Sequence, residues 1–343
     1  MHCRSIASIF AAVMVASFCV CGGTPTYAQN KHDDGGWDLE RLPGGQPDLQ
    51  GVWLSKSATP LQRPELLQGR NRLTDEEVRR LRIRAERLFT DGDGSSEFAA
   101  GDNLFLAVLS DVDHYSNPRS TCNSLSMIER EFDNRTSLIV DPPDGRIPEM
   151  TSSAQRRQQA VSLVEMNPPG PEMLSPWVRC ITRGLPRLGG TSGAGVYGYY
   201  QIFQTEEYVV LFMETIHDAR IIPIGTSPHI SQTIRQWHGD SRGWWEEDTL
   251  VVETTNFSVQ ATVLGSDENL HLIERFTRTS EETITYEVTM TDETVWATPW
   301  TVRLPLTYTS ESIYEFACHE GNHYGMIGIL AGARAQESST KLE

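Results

Sequence analysis

The chain has 343 residues, and its 46 acidic residues against 29 Lys and Arg residues give a formal charge of −17 at pH 7. Such a charge repels a phosphate backbone, so the composition argues against nucleic acid as a partner. We interpret the acidity as favouring solubility and not as evidence for a cationic substrate.

The N-terminus has the features of a secretory signal. Arg4 provides a basic start, an apolar run occupies residues 9–20, and Thr26-Tyr27-Ala28 forms a small-residue cleavage site. The apolar run is shorter than the roughly 20 residues needed to span a bilayer, which argues against a membrane span. The sequence therefore predicts a signal peptide at residues 1–28 and an exported protein, periplasmic or secreted, that begins at Gln29.

Two helices are predicted in the first half of the remaining chain. Thr74 and Glu77 have the spacing of a capping box, and apolar residues recur on one helical face after them. A second helix is expected to start near Ser152, with Gln155 as its reciprocal capping residue. Residues 29–50 are rich in Gly, Asp and Pro and are expected to be irregular.

From Tyr199 onwards the sequence changes to the pattern of β-strands. Polar residues alternate with Ile284, Tyr286, Val288 and Met290, which is the period of two expected of a half-buried strand. Polar turns separate several such runs and few helices lie between them, so we predict antiparallel pairing and not parallel crossover units. The predicted strands are residues 199–204, 208–213, 217–224, 249–254, 270–278, 283–290, 301–308 and 312–318.

The predicted fold is mainly β. It is an antiparallel, lipocalin-like β-barrel or strongly curved sheet with an N-terminal helical and irregular segment. Gly51-Val52-Trp53 resembles the opening strand of lipocalin-type barrels. We predict one composite domain, in which residues 29–190 pack on a barrel core formed by residues 191–335.

Several motifs resemble those of a large family of exported bacterial proteins, most of them uncharacterised. The similarity extends from about Gly44 to Arg334, and only the segment 104–130, which contains Cys122, departs from the family pattern. Because no reaction is assigned to that family, the resemblance implies architecture and export but no chemistry. The motifs are Gly184-Leu185-Pro186, residues 134–148, Ile216-His217-Asp218-Ala219-Arg220-Ile221-Ile222-Pro223, residues 239–257, Glu274-Arg275-Phe276-Thr277 and Ala317-Cys318-His319-Glu320-Gly321-Asn322.

Three cysteines remain after removal of the leader, and export permits one disulfide. Cys180 and Cys318 lie in segments that match the family and Cys122 does not. The resemblance therefore implies a bridge between Cys180 and Cys318, with Cys122 as the unpaired thiol. A catalytic cysteine is the alternative, and we disfavour it because an exposed reactive thiol outside the cytosol is easily oxidised.

Charged residues interrupt an otherwise strand-like segment at residues 211–224. Alternate side chains leave opposite faces of a strand, so Asp218 and Arg220 are expected on one face and His217 on the other, unless a bulge intervenes. Buried polar groups need partners, either each other or a ligand. The segment is thus interpreted as a catalytic group of these three residues or, alternatively, as an ion pair between Asp218 and Arg220 that joins neighbouring strands.

A second acid and base pair, Asp240 and Arg242, lies among Trp237, Trp244 and Trp245. The stretch from Gly239 to Gly243 has the composition of a turn. Indoles beside Arg and Asp are a common lining for rings or sugars. We predict these three Trp residues and Tyr200 as substrate-binding residues, and core packing of the indoles is the alternative.

The sequence from His319 to His323 matches the His-Glu-x-x-His pattern of zinc proteases. That geometry needs a helix, and Gly321 and Asn322 disfavour one immediately after a predicted strand. We therefore predict no metal here. His319 and Glu320 are interpreted as contributing to a polar site at the barrel mouth or, equally, as satisfying backbone groups in a tight turn.

No glycine-rich dinucleotide or phosphate loop and no Gly-x-Ser-x-Gly elbow is present, so no cofactor is predicted. The main hypothesis is an exported enzyme that carries out elimination, isomerisation or cyclisation on an apolar, aromatic or sugar-like small molecule. His217 or His319 would transfer the proton, Asp218, Asp240 or Glu320 would orient it, and Arg220 or Arg242 would hold an oxyanion. The alternatives are a hydrolase of the same layout and a non-catalytic, lipocalin-like ligand carrier.

Overall fold

A computed structural model describes residues 37–90, 102–110, 130–188, 198–261 and 263–340. The predicted signal peptide and Cys122 lie outside these residues. Four helices are present in the described part: α1 (Asp75–Thr90), α2 (Asp102–Leu109), α3 (Ser152–Met166) and α4 (Asn322–Thr340). None of the helices in these ranges is long and apolar enough to cross a membrane.

Ten strands form a single sheet. They are β1 (Gly51–Leu54), β2 (Ile139–Asp141), β3 (Tyr199–Gln204), β4 (Tyr208–Met213), β5 (Asp218–Pro223), β6 (Asp240–Glu246), β7 (Thr249–Thr255), β8 (His271–Ser280), β9 (Thr283–Thr291) and β10 (Trp300–Thr309).

The sheet is antiparallel and nearly closes into a barrel. Nine strands follow the order β5-β4-β3-β1-β10-β9-β8-β7-β6, and β2 pairs with β10 beside that path. The two ends of the path meet where Gly225 N–H donates to the Gly243 carbonyl at 2.8 Å. The predicted mainly antiparallel barrel is therefore confirmed.

Gly243 allows the seam between β5 and β6 to close. A Cβ atom at this position would lie 2.8 Å from Ile224 Cδ1 and 2.9 Å from Ile222 Cγ2, which is closer than real side-chain contacts allow. Glycine in a strand often marks such a close approach. The residue therefore lets the apolar side chains of β5 pack directly against β6.

The barrel interior is filled by the inward side chains of its strands. On β9, Ile284, Tyr286, Val288 and Met290 are all at most 4% exposed, as their alternation with polar residues predicts. The same period holds on β8 and β10, and the three strands pack into one apolar core. Burial of this kind stabilises a fold by roughly 25 cal/mol per Å² of apolar surface.

A second, smaller apolar cluster lies around α1 and α2. Val78, Leu81 and Ala85 of α1 pack there with Phe105 of α2. The predicted capping box is present, since Glu77 accepts from Thr74 N–H at 2.8 Å and donates its own N–H to Thr74 Oγ1 at 3.2 Å. These groups satisfy backbone donors that the first helical turn leaves unpaired.

Helix α3 begins at Ser152, as predicted, and Thr151 caps it by accepting from Ala154 N–H. Four local expectations were wrong. The side chain of Gln155 donates to the Met150 carbonyl at 3.0 Å and is not a reciprocal cap for Ser152. The stretch predicted as a turn at Gly239 to Gly243 is mostly strand β6, because its backbone pairs with β7. Residues 312–318 form no strand, and the helix α4 that begins at Asn322 was not predicted.

Candidate functional site

The segment before β5 has an unusual backbone. Thr215–His217 forms a 3-10 turn in which Ile216 and His217 have φ values of 60° and 45°. A β-branched residue in this left-handed region is a clear outlier, and such strain often occurs beside functional sites. The turn interrupts the strand that the sequence predicted from residue 217. His217 is exposed in the turn, and β5 begins after it with the buried Asp218.

Asp218 gathers three polar side chains around one carboxylate oxygen. Thr182 Oγ1 and Arg187 Nη2 each donate to Asp218 Oδ2 at 3.0 Å, and His238 Nε2 lies 3.2 Å from the same oxygen. Asp218 is 7% exposed and the His238 side chain is 19% exposed. We call these four residues the Asp218 cluster. It places a partly accessible imidazole against a buried carboxylate.

The hydrogen bonds of Thr182 fix the tautomer of His238. Thr182 Oγ1 accepts from Gly184 N–H at 2.9 Å and lies 2.6 Å from His238 Nε2. A hydroxyl has one proton and two acceptor positions, and here the proton goes to Asp218. His238 Nε2 must therefore carry a hydrogen, and in the neutral ring Nδ1 keeps its lone pair.

Nδ1 of His238 has no hydrogen-bond partner among the residues that the structure describes. The ring is partly accessible, and Nδ1 is the ring nitrogen that Thr182 and Asp218 leave unengaged. A neutral imidazole held at Nε2 by a carboxylate, with Nδ1 free, has the arrangement of a general base.

Arg187 connects the Asp218 cluster to the barrel interior. Its side chain is 3% exposed, and its Nε and Nη1 atoms have no acceptor in the described part of the chain. Burial lowers the pKa of Arg187, while nearby Tyr200 and Asp218 oppose that shift. Arg187 lines a cavity of about 10 Å³, a size suited to about one water molecule.

Arg220 and Glu274 line the same cavity and form a buried ion pair. Arg220 Nη1 donates to Glu274 Oε1 at 3.0 Å, and Arg220 Nε donates to Ser241 Oγ at 2.9 Å. Tyr286 donates its hydroxyl to Glu274 at 2.8 Å, and burial raises the pKa of Tyr286. The expected pair between Asp218 and Arg220 is not formed, because each residue pairs with a different partner.

Asp240 and Arg242 lie on the opposite face of β6 from Ser241. Arg242 Nη1 donates to Asp240 Oδ1 at 2.8 Å, and His229 Nδ1 lies 2.7 Å from Asp240 Oδ2. Because Ser241 points to Arg220 inside the barrel, Asp240 and Arg242 lie on the outer face of β6, where Asp240 is nevertheless buried. The structure therefore separates this pair from Asp218 and Arg220.

The same outer network extends across two further strands. His229 Nε2 lies 3.3 Å from Glu253 Oε2, and His271 Nε2 lies 2.7 Å from Glu253 Oε1. The hydrogen bond from His271 lowers the pKa of Glu253. Both nitrogens of His229 face carboxylates, so this ring joins the loop before β6 to the sheet and leaves no nitrogen for a ligand.

The other predicted site residues are not members of the Asp218 cluster. His319 and Glu320 are exposed in the turn before α4, where Glu320 N–H donates to the Ala317 carbonyl at 3.0 Å. Trp244 donates to Glu246 at 3.0 Å, and Trp245 packs partly against the core. Tyr200 is buried beside the small cavity, and Trp237 is half-buried in the loop that carries His238.

The predicted disulfide between Cys180 and Cys318 is confirmed, with the two Cα atoms 5.8 Å apart. Asn322 Nδ2 donates to the Val178 carbonyl at 2.6 Å in the same region. Both contacts anchor the segment that continues to Thr182 and Arg187. The bridge thus supports two members of the Asp218 cluster.

Sequence reasoning missed Thr182, Arg187 and His238. Their signals were present: Arg187 follows the Gly184-Leu185-Pro186 motif, and His238 lies between Trp237 and Gly239. No spacing rule connects these segments, since Thr182 and His238 are 56 residues apart and meet only through the fold.

No group of three or more His, Cys, Asp or Glu residues in the described ranges has a geometry that could hold a metal ion. No protein-family model, curated protein or solved structure matches the chain. The function therefore has to be inferred from the geometry of the site.

Proposed function

We propose that the protein is an exported enzyme that carries out acid–base chemistry on a small molecule, with His238 as the proton-transfer residue and Asp218 as the group that orients it. The observation that carries this proposal is the Asp218 cluster, in which an accessible imidazole is held at Nε2 and keeps Nδ1 free. The disulfide supports export, because such bonds persist in oxidising compartments.

In the proposed reaction, His238 Nδ1 takes a proton from the substrate and the ring becomes an imidazolium. Asp218 stabilises this charge through Nε2, and Thr182 keeps the ring in its plane. Return of the proton at another atom gives isomerisation or cyclisation, and protonation of a leaving group gives elimination. General acid–base catalysis by one positioned group contributes typically 10²–10⁴-fold.

Two alternatives have less support. Thr182 is a poor nucleophile for a hydrolase, because Gly184 N–H and His238 Nε2 occupy both acceptor positions of its hydroxyl. A carrier that holds a ligand inside the barrel is disfavoured because side chains fill that interior and the cavity beside Arg187 measures only about 10 Å³.

The test is to incubate the purified protein with metabolite extracts of its producer and to compare them by liquid chromatography with mass detection before and after. We expect a chromatographic peak that disappears with the wild type and persists with His238→Ala, with turnover reduced by roughly 10²-fold or more. A product of unchanged mass indicates isomerisation or cyclisation, products whose masses sum to that of the substrate indicate elimination, and products whose masses sum to the substrate plus one water indicate hydrolysis.

His319→Ala is the matched control, since His319 is exposed and lies outside the Asp218 cluster. The proposal predicts that this variant turns over substrate like the wild type. Full activity of His238→Ala together with loss of activity in His319→Ala would place the chemistry at the turn before α4 instead.

A further inference from the structure

A pocket of about 340 Å³ lies between α3 and the segment that follows it. Its volume falls in the range of small-molecule sites, roughly 300–1,000 Å³. The walls are mostly apolar and include Val161, Val164, Met173, Leu174, Pro176 and Val259. The cavity beside Arg187 inside the barrel measures only about 10 Å³.

Helix α3 exposes apolar side chains that a surface helix would normally bury. Val161 is 49% exposed and Met173, on the opposite wall, is 43% exposed. Contiguous exposed apolar surface of this kind marks a binding groove or an interface. The pocket is therefore a candidate site in its own right, independent of the ion pairs of the barrel.

Both walls of the pocket continue into the Asp218 cluster. Arg179 on one wall is three residues before Thr182, so their Cα atoms are at most about 11 Å apart. Gln260 on the other wall is two residues after Ser258, whose N–H donates to the Gln236 carbonyl at 2.8 Å. His238 follows Gln236 by two residues. Two chain segments thus connect the pocket to the Asp218 cluster, and no member of the cluster is itself among the residues that line the pocket.

The lining also indicates which molecules fit. The ionisable groups are Glu165, Glu172 and Arg179, so acidic residues outnumber basic ones. Arg179 Nη1 already donates to the Glu172 carbonyl at 3.3 Å. None of the lining residues is aromatic, so sugar stacking on Trp or Tyr has no support here. The pocket favours an uncharged apolar molecule over an anion or a sugar.

We infer that this pocket binds the apolar body of the substrate, an uncharged and largely aliphatic or aromatic small molecule, while His238 acts on its polar end. Only the role of His238 rests on the proposed function. Binding of an apolar molecule in the pocket can be tested separately from catalysis.

The experiment is a fluorescence titration of the full purified protein with the neutral probe N-phenyl-1-naphthylamine. We expect saturable binding that Val164→Asp weakens at least about tenfold, because a charge then lies in an apolar site. Leu163→Asp is the matched control: Leu163 is on the same helix, 65% exposed and outside the pocket, so the affinity should not change. Circular dichroism verifies that both variants are folded.

Further measurements distinguish ligand binding in the pocket from catalysis and from dimer formation. His238→Ala should bind the probe like the wild type, so loss of turnover without loss of probe binding distinguishes the two proposals. Equal probe affinity in the wild type and Val164→Asp overturns the inference. A dimer that Val164→Asp dissociates, measured by light scattering, would also overturn it, because the pocket would then be an interface between copies.

Discussion

At the scale of single residues, the barrel interior is organised by buried charges that each have a specific partner. Arg220 and Glu274 are 3% and 2% exposed, and Ser241 and Tyr286 complete their hydrogen bonds. Removing one partner of such a pair leaves an uncompensated charge, whereas replacing both can be neutral. The pair therefore makes the stability of the barrel depend on both members together.

We predict that Arg220→Met lowers the free energy of unfolding by about 3–5 kcal/mol, because Glu274 is left buried without its cation. Urea-induced unfolding measures this change. The double variant Arg220→Met with Glu274→Leu should recover much of the loss.

Arg303→Met provides the control for this prediction, since the Arg303 and Glu287 side chains are 51% and 24% exposed. An exposed pair contributes at most about 1 kcal/mol. A loss for Arg220→Met no larger than that for Arg303→Met would contradict the assignment of Arg220 and Glu274 as a buried pair that stabilises the barrel.

The sequence predicted that Asp218 and Arg220 are buried charges that need partners, but it did not predict which groups pair with them. Charges in a strand pattern show that partners are needed, because unpaired buried charges are costly. The partners come from other segments: Arg187 lies 31 residues before Asp218, and Glu274 lies 54 residues after Arg220. Local periodicity carries no information about such pairs.

At the scale of elements, the strands were predicted best where one face is buried. Strands β3, β4 and β9 follow the period of two closely. Strand β6 was missed because Gly, Asp and Ser favour turns locally, and tertiary pairing with β7 overrides that preference. Helix α4 was not predicted, because it contains Gly325, Gly328 and Gly332, each of which lowers helix propensity.

The disulfide is the element-scale feature with the clearest consequence. It closes a loop of 138 residues and fixes the segment that leads to Thr182. We predict that Cys180→Ser with Cys318→Ser lowers the free energy of unfolding by about 2–5 kcal/mol, chiefly because the unfolded chain gains freedom. Urea unfolding with and without reductant measures the effect.

Reductant should destabilise the wild type to a similar extent and leave the double Ser variant unchanged. Equal unfolding curves for the wild type in oxidising and reducing buffer would contradict a stabilising role for the bridge. If the bridge also positions Thr182, the double variant should lose turnover along with stability.

At the scale of the whole molecule, the nearly closed barrel acts as a scaffold and the candidate chemistry lies where loops converge on it. Apolar side chains pack inside the barrel around a cavity of about 10 Å³, whereas the Asp218 cluster draws on three separate segments. Binding and catalytic residues are commonly carried by loops that a rigid sheet positions. The pocket beside α3 fits the same arrangement.

Long-range proton–nitrogen correlation NMR tests, without knowledge of the substrate, whether His238 is held through Nε2 and presents Nδ1 as a base. At a pH where the ring is neutral, we expect the hydrogen on Nε2 in the wild type and a loss of this preference in Thr182→Ala with Asp218→Asn. A hydrogen on Nδ1 in the wild type would exclude this nitrogen as the base.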